Sequence, residues 1–127
     1  MLISNTEKEL VYHVVELMQP LGPVNAKGMF GGHGIFLEGL IFGLVADRVL
    51  YLKADKESEN KFLSKQLEAF SYNKMGKEFK MSYFQAPDEA LEDADEMNIW
   101  ANNAYSAALR ALIKKRKNEN THNNAFK

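Results

Sequence analysis

The part of the sequence that most constrains the fold is the stretch from Val24 to Lys53, where short apolar runs alternate with turn signals. β-branched and aromatic residues make up the runs, and the breaks fall at Gly31 to Gly34, at Glu38-Gly39 and at Asp47-Arg48. Strand-forming residues between closely spaced turn signals are typical of hairpins. We therefore predict four short antiparallel strands in this stretch.

One of these predicted strands, from Leu40 to Ala46, has the sequence L-I-F-G-L-V-A and is apolar on both of its alternating faces. A strand that is wetted on one side alternates apolar and polar residues, whereas a strand covered on both sides does not. The pattern predicts a central strand that is covered on each side, with helices packed against the sheet.

Helical patterns flank this strand region. Thr6 followed by Glu9 has the spacing of a capping box, and an apolar stripe then predicts a helix over about residues 7 to 19, ended by Pro20 and the Gly-Pro that follows. A second helix is expected to begin after Asp55 and Ser58. Its predicted buried stripe consists of Phe62, Leu63, Leu67 and Phe70.

The remaining pattern predicts a second hairpin and a long final helix. The hairpin turns at Met75-Gly76. The helical segment follows Pro87, and its acidic start from Asp88 to Glu96 and its basic end complement the helix dipole. Residues 118–127 have no periodicity and are predicted to be a disordered polar tail. We therefore predict one α+β domain over residues 1–117, with an antiparallel sheet of about six strands in the order helix, strands, helix, hairpin, long helix.

Composition excludes several classes of function. The chain of 127 residues contains no cysteine, which rules out a disulfide framework, a thiolate nucleophile and Cys-ligated metal sites. A net charge of −1 provides no global field that would attract nucleic acid or an anionic membrane. The sequence also shows neither a signal peptide nor an apolar run of membrane-spanning length. We expect a cytoplasmic protein without a membrane partner.

Four glycines occur between Gly28 and Gly34, and they match neither common phosphate-binding pattern. A P-loop ends in Gly-Lys-Ser/Thr, but here Gly34 is followed by Ile35. A dinucleotide fingerprint requires a helix to begin at the glycines, whereas a strand is predicted here. A tight hairpin whose glycines adopt positive φ angles is the favoured interpretation, and a backbone nest for an anion is the alternative.

The other candidate groups are scattered along the chain. His13 shares a helix face with Glu9 and Glu16, but that face offers no third ligand, so we predict an exposed histidine and no metal site. His33 lies in the glycine turn, where it is either simply exposed or in contact with a partner. The basic residues near the end of the long helix form either a solvated helix end or a contact to DNA phosphates. These residues are Arg110, Lys114, Lys115, Arg116 and Lys117.

Four separated motifs resemble the N-terminal domain of the TfoX/Sxy competence regulators. They are M-F-G-G-x-G-I-F from Met29 to Phe36, L-Y-L-K from Leu50 to Lys53, G-K-x-x-x-M-S-Y from Gly76 to Tyr83, and P-D-E-A-L-E-D-x-D-E from Pro87 to Glu96. They occur in the order of the family, and the resemblance covers roughly residues 5 to 113. It implies an α+β fold similar to that of secretion chaperones.

The resemblance also implies a function. Full-length family members have a second, C-terminal helical domain and act as coactivators of DNA-uptake genes together with the cyclic-AMP receptor protein. No catalytic residue or cofactor is attributed to them, so the resemblance implies a regulator and not an enzyme. The expected partner is a protein, either that receptor or a second copy of the chain in a homodimer. The predicted binding site is the glycine turn, comprising Met29, Phe30, Gly31, Gly32, His33 and Gly34.

Two other functions stay open at this stage. Direct nucleic-acid binding through Arg110 and Lys114 to Lys117 is motivated by the charge cluster alone. A small-molecule site between the sheet and the long helix is the third hypothesis, because a fold by itself does not define a function.

Overall fold

The computed structural model describes residues 6–29 and 31–125, and it confirms the predicted α+β class and the predicted order of elements. One antiparallel sheet of six strands has the order β1-β2-β3-β4-β6-β5. Its strands are β1 (Asn25–Met29), β2 (Gly32–Leu37), β3 (Leu40–Ala46), β4 (Val49–Lys53), β5 (Ala69–Lys74) and β6 (Lys77–Gln85). The helices are α1 (Thr6–Leu17), α2 (Glu59–Leu63), α3 (Asp88–Glu92) and α4 (Ala94–Ala125).

Three of the hairpins turn where the sequence predicts. Glu38-Gly39, Asp47-Arg48 and Met75-Gly76 each connect two neighbouring strands, and all six residues have positive φ angles between 50° and 79°. Two consecutive positive φ angles characterise the tight turn whose twist matches that of the paired strands. These local turns hold the strands that they connect in register.

The end of α1 differs slightly from its prediction. The α-helix stops at Leu17 and passes into a 3-10 turn at Gln19–Leu21, with Pro20 in its first positions. Proline is tolerated there because its missing N–H would have no partner inside the helix. Gly22 follows with a φ of 148° and turns the chain into β1. Met18 is fully buried at this junction and anchors it to the core.

The core lies between one face of the sheet and the helices. Phe42 and Leu52 project from the sheet and are fully buried. Phe62 of α2 stacks on Phe84 with ring centroids 5.3 Å apart and meets Trp100 of α4 edge-on at 5.1 Å. Aromatic pairs at such distances add to the free energy gained by burial alone. We refer to this side of the sheet as the covered face.

The predicted stripe of the second helix is wrong in part. Because α2 contains only five residues, only Phe62 of this helix is buried, and Leu63 is 50% exposed. Leu67 lies after the helix, where it packs against the core. Phe70 belongs to β5, and its ring contacts Tyr51 at a centroid distance of 5.0 Å.

The prediction that β3 is covered on both sides is also wrong. The helices α1 and α4 both pack against β3, α4 also packs against α1 and α3, and α2 packs beside α4 through its aromatic contact. All four described helices therefore form one layer on one face. On the opposite face, Ile41 and Leu44 of β3 are half-buried among side chains of neighbouring strands. We call this side of the sheet the open face.

The acidic segment after Pro87 forms two helices, whereas one continuous helix was predicted. Asp93 has an extended backbone conformation and separates α3 from α4. Its carboxylate Oδ2 accepts the backbone N–H of Glu96 at 2.9 Å, which caps α4. The backbone of α4 is helical through Ala125 and thus enters the predicted tail. The division of the chain at residue 117 stays a prediction, and residues 126–127 lie outside the described part.

None of the helices that the structure describes combines the length and the apolar character needed to cross a bilayer.

Candidate functional site

The glycine-rich segment forms the hairpin between β1 and β2. Met29 is paired with Gly32 and Gly28 with His33, so the chain reverses direction between Met29 and Gly32. Gly31 has a φ of 78° and faces open space. Phe30, one of the predicted binding residues, lies outside the described residues. The hairpin predicted from the glycines is confirmed, and Gly31 supplies its left-handed residue.

Gly32 and Gly34 are required for a different reason, which is close packing within the sheet. A Cβ atom on Gly32 would collide with the carbonyl oxygen of Val45. A Cβ atom on Gly34 would lie 2.6 Å from Met29 Sδ and 2.8 Å from a ring carbon of Phe36. Neither glycine has a positive φ angle. The expectation that the cluster as a whole adopts positive φ angles is therefore wrong beyond Gly31.

The alternative of a phosphate-binding nest finds no support among the described residues of this segment. A nest requires successive backbone N–H groups that converge on one anion. Here His33 and Gly34 pair with β1 on one side and with β3 on the other. Their backbone groups belong to the ladder of the sheet and not to a concave turn.

His33 is not the exposed turn residue that the sequence predicts. It lies in β2, and its Nδ1 is 3.0 Å from the Oε2 atom of Glu7 on α1. The other carboxylate oxygen of Glu7 accepts the backbone N–H of Arg48 at 3.4 Å. Both side chains of the pair are about one-quarter exposed. His33 therefore connects the hairpin to α1 and points to the covered face, away from a partner at the tip.

His13 is exposed, as predicted, and it also has a structural contact. Its Nε2 atom lies 2.7 Å from the carbonyl oxygen of Leu91, so the ring donates a hydrogen bond that joins α1 to α3. Among the described residues, no three His, Asp or Glu side chains are grouped so that they could hold a metal ion.

The outer edge of β1 is the most accessible backbone near the hairpin. Within the described chain β1 pairs only with β2, and it forms one end of the sheet. Asn25, Lys27 and Gly28 are exposed. Unpaired N–H and C=O groups of an edge strand can pair with another strand. The hairpin and this edge together form one continuous accessible surface.

The open face is a second accessible surface, and the sequence analysis did not identify it. Its aromatic side chains contact one another, as in the Tyr72–Phe79 stack, whose ring centroids are 5.5 Å apart. Lysines lie over two further rings, with Lys27 Nζ 5.2 Å from the centre of Phe36 and Lys53 Nζ 5.1 Å from that of Tyr83. The alternation of Phe79, Met81 and Tyr83 in the sequence was the signal for such a face.

The predicted nucleic-acid residues at the end of α4 do not act as one group. Arg110 donates from Nε to Asp55 Oδ2 at 2.6 Å and from a terminal nitrogen to Asp55 Oδ1 at 3.0 Å. Glu57 lies 3.0 Å from the same Nε. Hydrogen bonding to Arg110 is the main cause that lowers the pKa of Asp55. Arg110 thus fastens α4 to the start of α2, while Lys114, Lys115, Arg116 and Lys117 are exposed.

An open groove of about 760 Å³ lies between α4 and the β6 strand, where the third hypothesis expects a ligand. Lys80 and Lys114 line it together with apolar residues of the β5–β6 hairpin. The Asp55 carboxylate at its wall accepts hydrogen bonds from Arg110 and Ser58. This carboxylate is therefore committed to structure and is a poor general base.

Comparison with known proteins agrees with this architecture. The model of the TfoX N-terminal domain family matches residues 16–108. Protein Sxy of Escherichia coli (strain K12) is 25% identical over 111 residues, which are 87% of this chain and 51% of Sxy. The chain thus spans about half the length of this curated relative. Since the match covers most of the chain and includes the whole sheet, the chain belongs to the TfoX N-terminal domain family.

Proposed function

We propose that the protein is a regulatory module of the competence-regulator type, which binds another protein through the β1–β2 hairpin and the free edge of β1. Membership in the TfoX N-terminal domain family supports the regulatory role. The observation that carries the binding site is the exposed edge strand beside a glycine tip. The proposal includes no catalytic step and no cofactor, and it places the protein in the cytoplasm.

The edge of β1 is suited to strand addition. Exposed backbone groups on a sheet edge supply affinity by hydrogen bonding, and side-chain pockets supply specificity. Gly28 is exposed and has no side chain, and an added Cβ atom there would meet only the carbonyl oxygen of Gly32, at 4.0 Å. A second backbone can therefore approach closely at this position. Met29 packs beside Gly34 and holds the tip against the sheet.

The partner that we propose is a transcription factor, with the cyclic-AMP receptor protein as the first candidate, and a second copy of the chain is the alternative. The test is fluorescence anisotropy of a labelled competence-type promoter fragment, titrated with the chain in the presence and absence of the receptor. Binding that requires the receptor is the expected result. No complex with the receptor, on or off DNA, would refute this choice of partner.

A pair of matched variants tests the binding site. Gly28→Val adds bulk at the edge of β1, where an added Cβ finds space. Asn73→Val adds a similar side chain on β5 at the other edge of the sheet. We expect Gly28→Val to weaken the receptor complex or the homodimer and Asn73→Val to leave it unchanged, with equal melting temperatures. Equal binding by both variants would show that the partner does not bind at the β1 edge.

A further inference from the structure

The charged residues that project from the strands onto the open face are all lysines. Strand register places Lys27 opposite Gly34, Lys53 beside Tyr83, and Lys74 opposite Lys77. Among the described strand residues on this face there is no Asp or Glu, although acidic and basic residues nearly balance over the whole chain. The face is therefore locally cationic in a protein with a net charge of −1.

Aromatic rings are interleaved with these lysines. The six rings on the face are Phe36, Tyr51, Phe70, Tyr72, Phe79 and Tyr83. Tyr72 and Phe79 are 44% and 41% exposed, so the outer surface of their stack is open to solvent. A sheet face with exposed rings offers π-faces on which unpaired aromatic ligand groups can stack.

We propose that the open face binds single-stranded nucleic acid, with unpaired bases stacked on the exposed rings and phosphates neutralised by the lysines. Stacking on aromatic rings of a sheet together with cationic contacts to the backbone is how several folds bind single strands. The bases of a duplex are already stacked on each other and cannot lie on this sheet, which favours a single strand. The site is independent of the proposed β1 edge, because its most exposed rings lie on β5 and β6.

The composition of the face argues against a protein as its occupant. Protein interfaces are enriched in aromatic residues but depleted in lysine. On the open face, Lys27 and Lys53 lie over aromatic rings. A polyanion neutralises these charges, whereas an apolar protein surface would bury them without partners.

Carboxylates mark the margin of the site. Burial is the main cause that raises the pKa of Tyr51, and the charges of Asp47 and Glu68 raise it further. Asp47 lies in the turn after β3, and Glu68 precedes β5. A phosphate backbone is repelled by both groups, so we place the nucleic-acid strand toward the Met75-Gly76 end of the β5–β6 hairpin, where Lys74 and Lys77 lie beyond the rings.

The test is fluorescence anisotropy with a labelled oligothymidine of about 16 nucleotides, the upper end of known site sizes, against the same sequence in a duplex. Contacts to Lys53, Lys74 and Lys77 predict a slope of log Kd against log salt of about 2. Changing Lys74 and Lys77 to Gln should lower this slope by about 1.4. Changing Lys115 and Lys117 to Gln on α4 removes the same charge and should leave the slope unaltered.

A second set of variants tests stacking. Changing Tyr72 and Phe79 to Ala should weaken single-strand binding about tenfold or more, since each stacked base contributes substantially to affinity. Changing both to Trp should retain binding, and Glu68→Gln should strengthen it. Circular dichroism and melting temperature report the fold of each variant.

Three results would overturn the proposal. One is no binding of the oligonucleotide at low salt. Another is binding that is weakened by the Lys115 and Lys117 substitutions and not by those of Lys74 and Lys77. The third is a homodimer in solution that the Tyr72 and Phe79 substitutions dissociate, because a second copy would then occupy the face. The proposed protein binding at the β1 edge is tested by Gly28→Val, so either proposal can fail without the other.

Discussion

The two faces of the sheet are both rich in apolar residues, yet they differ in what happens to those residues. On the covered face, Phe42 and Leu52 are completely buried beneath α1 and α4. On the open face, Tyr72, Phe79 and Met81 keep exposures near 40%. The difference teaches that a strand with apolar residues on both faces, such as β3, does not show in its sequence which face the helices cover.

The largest expected difference in stability between the two faces comes from deleting one large side chain on each. Phe62→Ala leaves a cavity between Phe84 and Trp100, and we expect it to lower the free energy of unfolding by about 3–5 kcal/mol. Phe79→Ala removes a ring that solvent already reaches, and we expect a loss of less than about 1 kcal/mol. Urea denaturation measures both, and losses of similar size would show that the open face is covered in solution.

A second comparison concerns glycines within the β1–β2 hairpin. Gly32→Ala would push a Cβ atom against the carbonyl oxygen of Val45, so β2 must move away from β3. We expect a loss of about 1–3 kcal/mol in the free energy of unfolding, typical of overpacking. Gly28→Ala has space and should change stability by less than about 0.5 kcal/mol. Similar thermal stability of the two variants would contradict the packing that we describe.

The smallest expected effect comes from the ion pair that holds α4 at the rim of the covered face. The pKa of Asp55 is lowered in the folded state, chiefly by its hydrogen bond to Arg110. The ionised carboxylate therefore stabilises the fold above its unfolded pKa, near 3.8, and this contribution is lost as the pH falls through the lower folded value.

We expect Asp55→Asn to cost about 1 kcal/mol at neutral pH, discounted because both partners are partly exposed. Urea denaturation at pH 7 and at about pH 3 measures the difference from the natural chain. That difference should shrink at the lower pH. A difference that stays constant with pH would mean that the charge of the Asp55 carboxylate does not contribute to stability. Glu57→Gln serves as the matched control, because Glu57 is far more exposed than Asp55.

Features determined by neighbouring residues were predictable. The turns at Glu38-Gly39, Asp47-Arg48 and Met75-Gly76 lie where expected, because residues that tolerate positive φ angles signal them locally. The predicted hairpin at Gly31 is confirmed for the same reason. The family resemblance is also confirmed, since it depends on short motifs in a fixed order.

Features determined by distant residues were missed. The contact of His33 with Glu7 joins positions 26 residues apart, so no local pattern reveals that the histidine is engaged. Arg110 and Asp55 are 55 residues apart, and the basic run of α4 gave no sign that its first member is paired with a carboxylate. In both contacts, a residue that the sequence suggested for partner or nucleic-acid binding is instead engaged within the fold.

By itself, the sequence determined the strands, their turns and their antiparallel order, because backbone geometry and apolar alternation act over a few residues. Only the tertiary structure decided which face is buried. The apolar stripes of α1 and α4 cover one face of the sheet, and α2 is too short to add much to that cover. Coverage depends on the total helical surface that reaches the sheet, a sum over the whole chain, and so the lysine and aromatic face becomes visible only once the helices are in place.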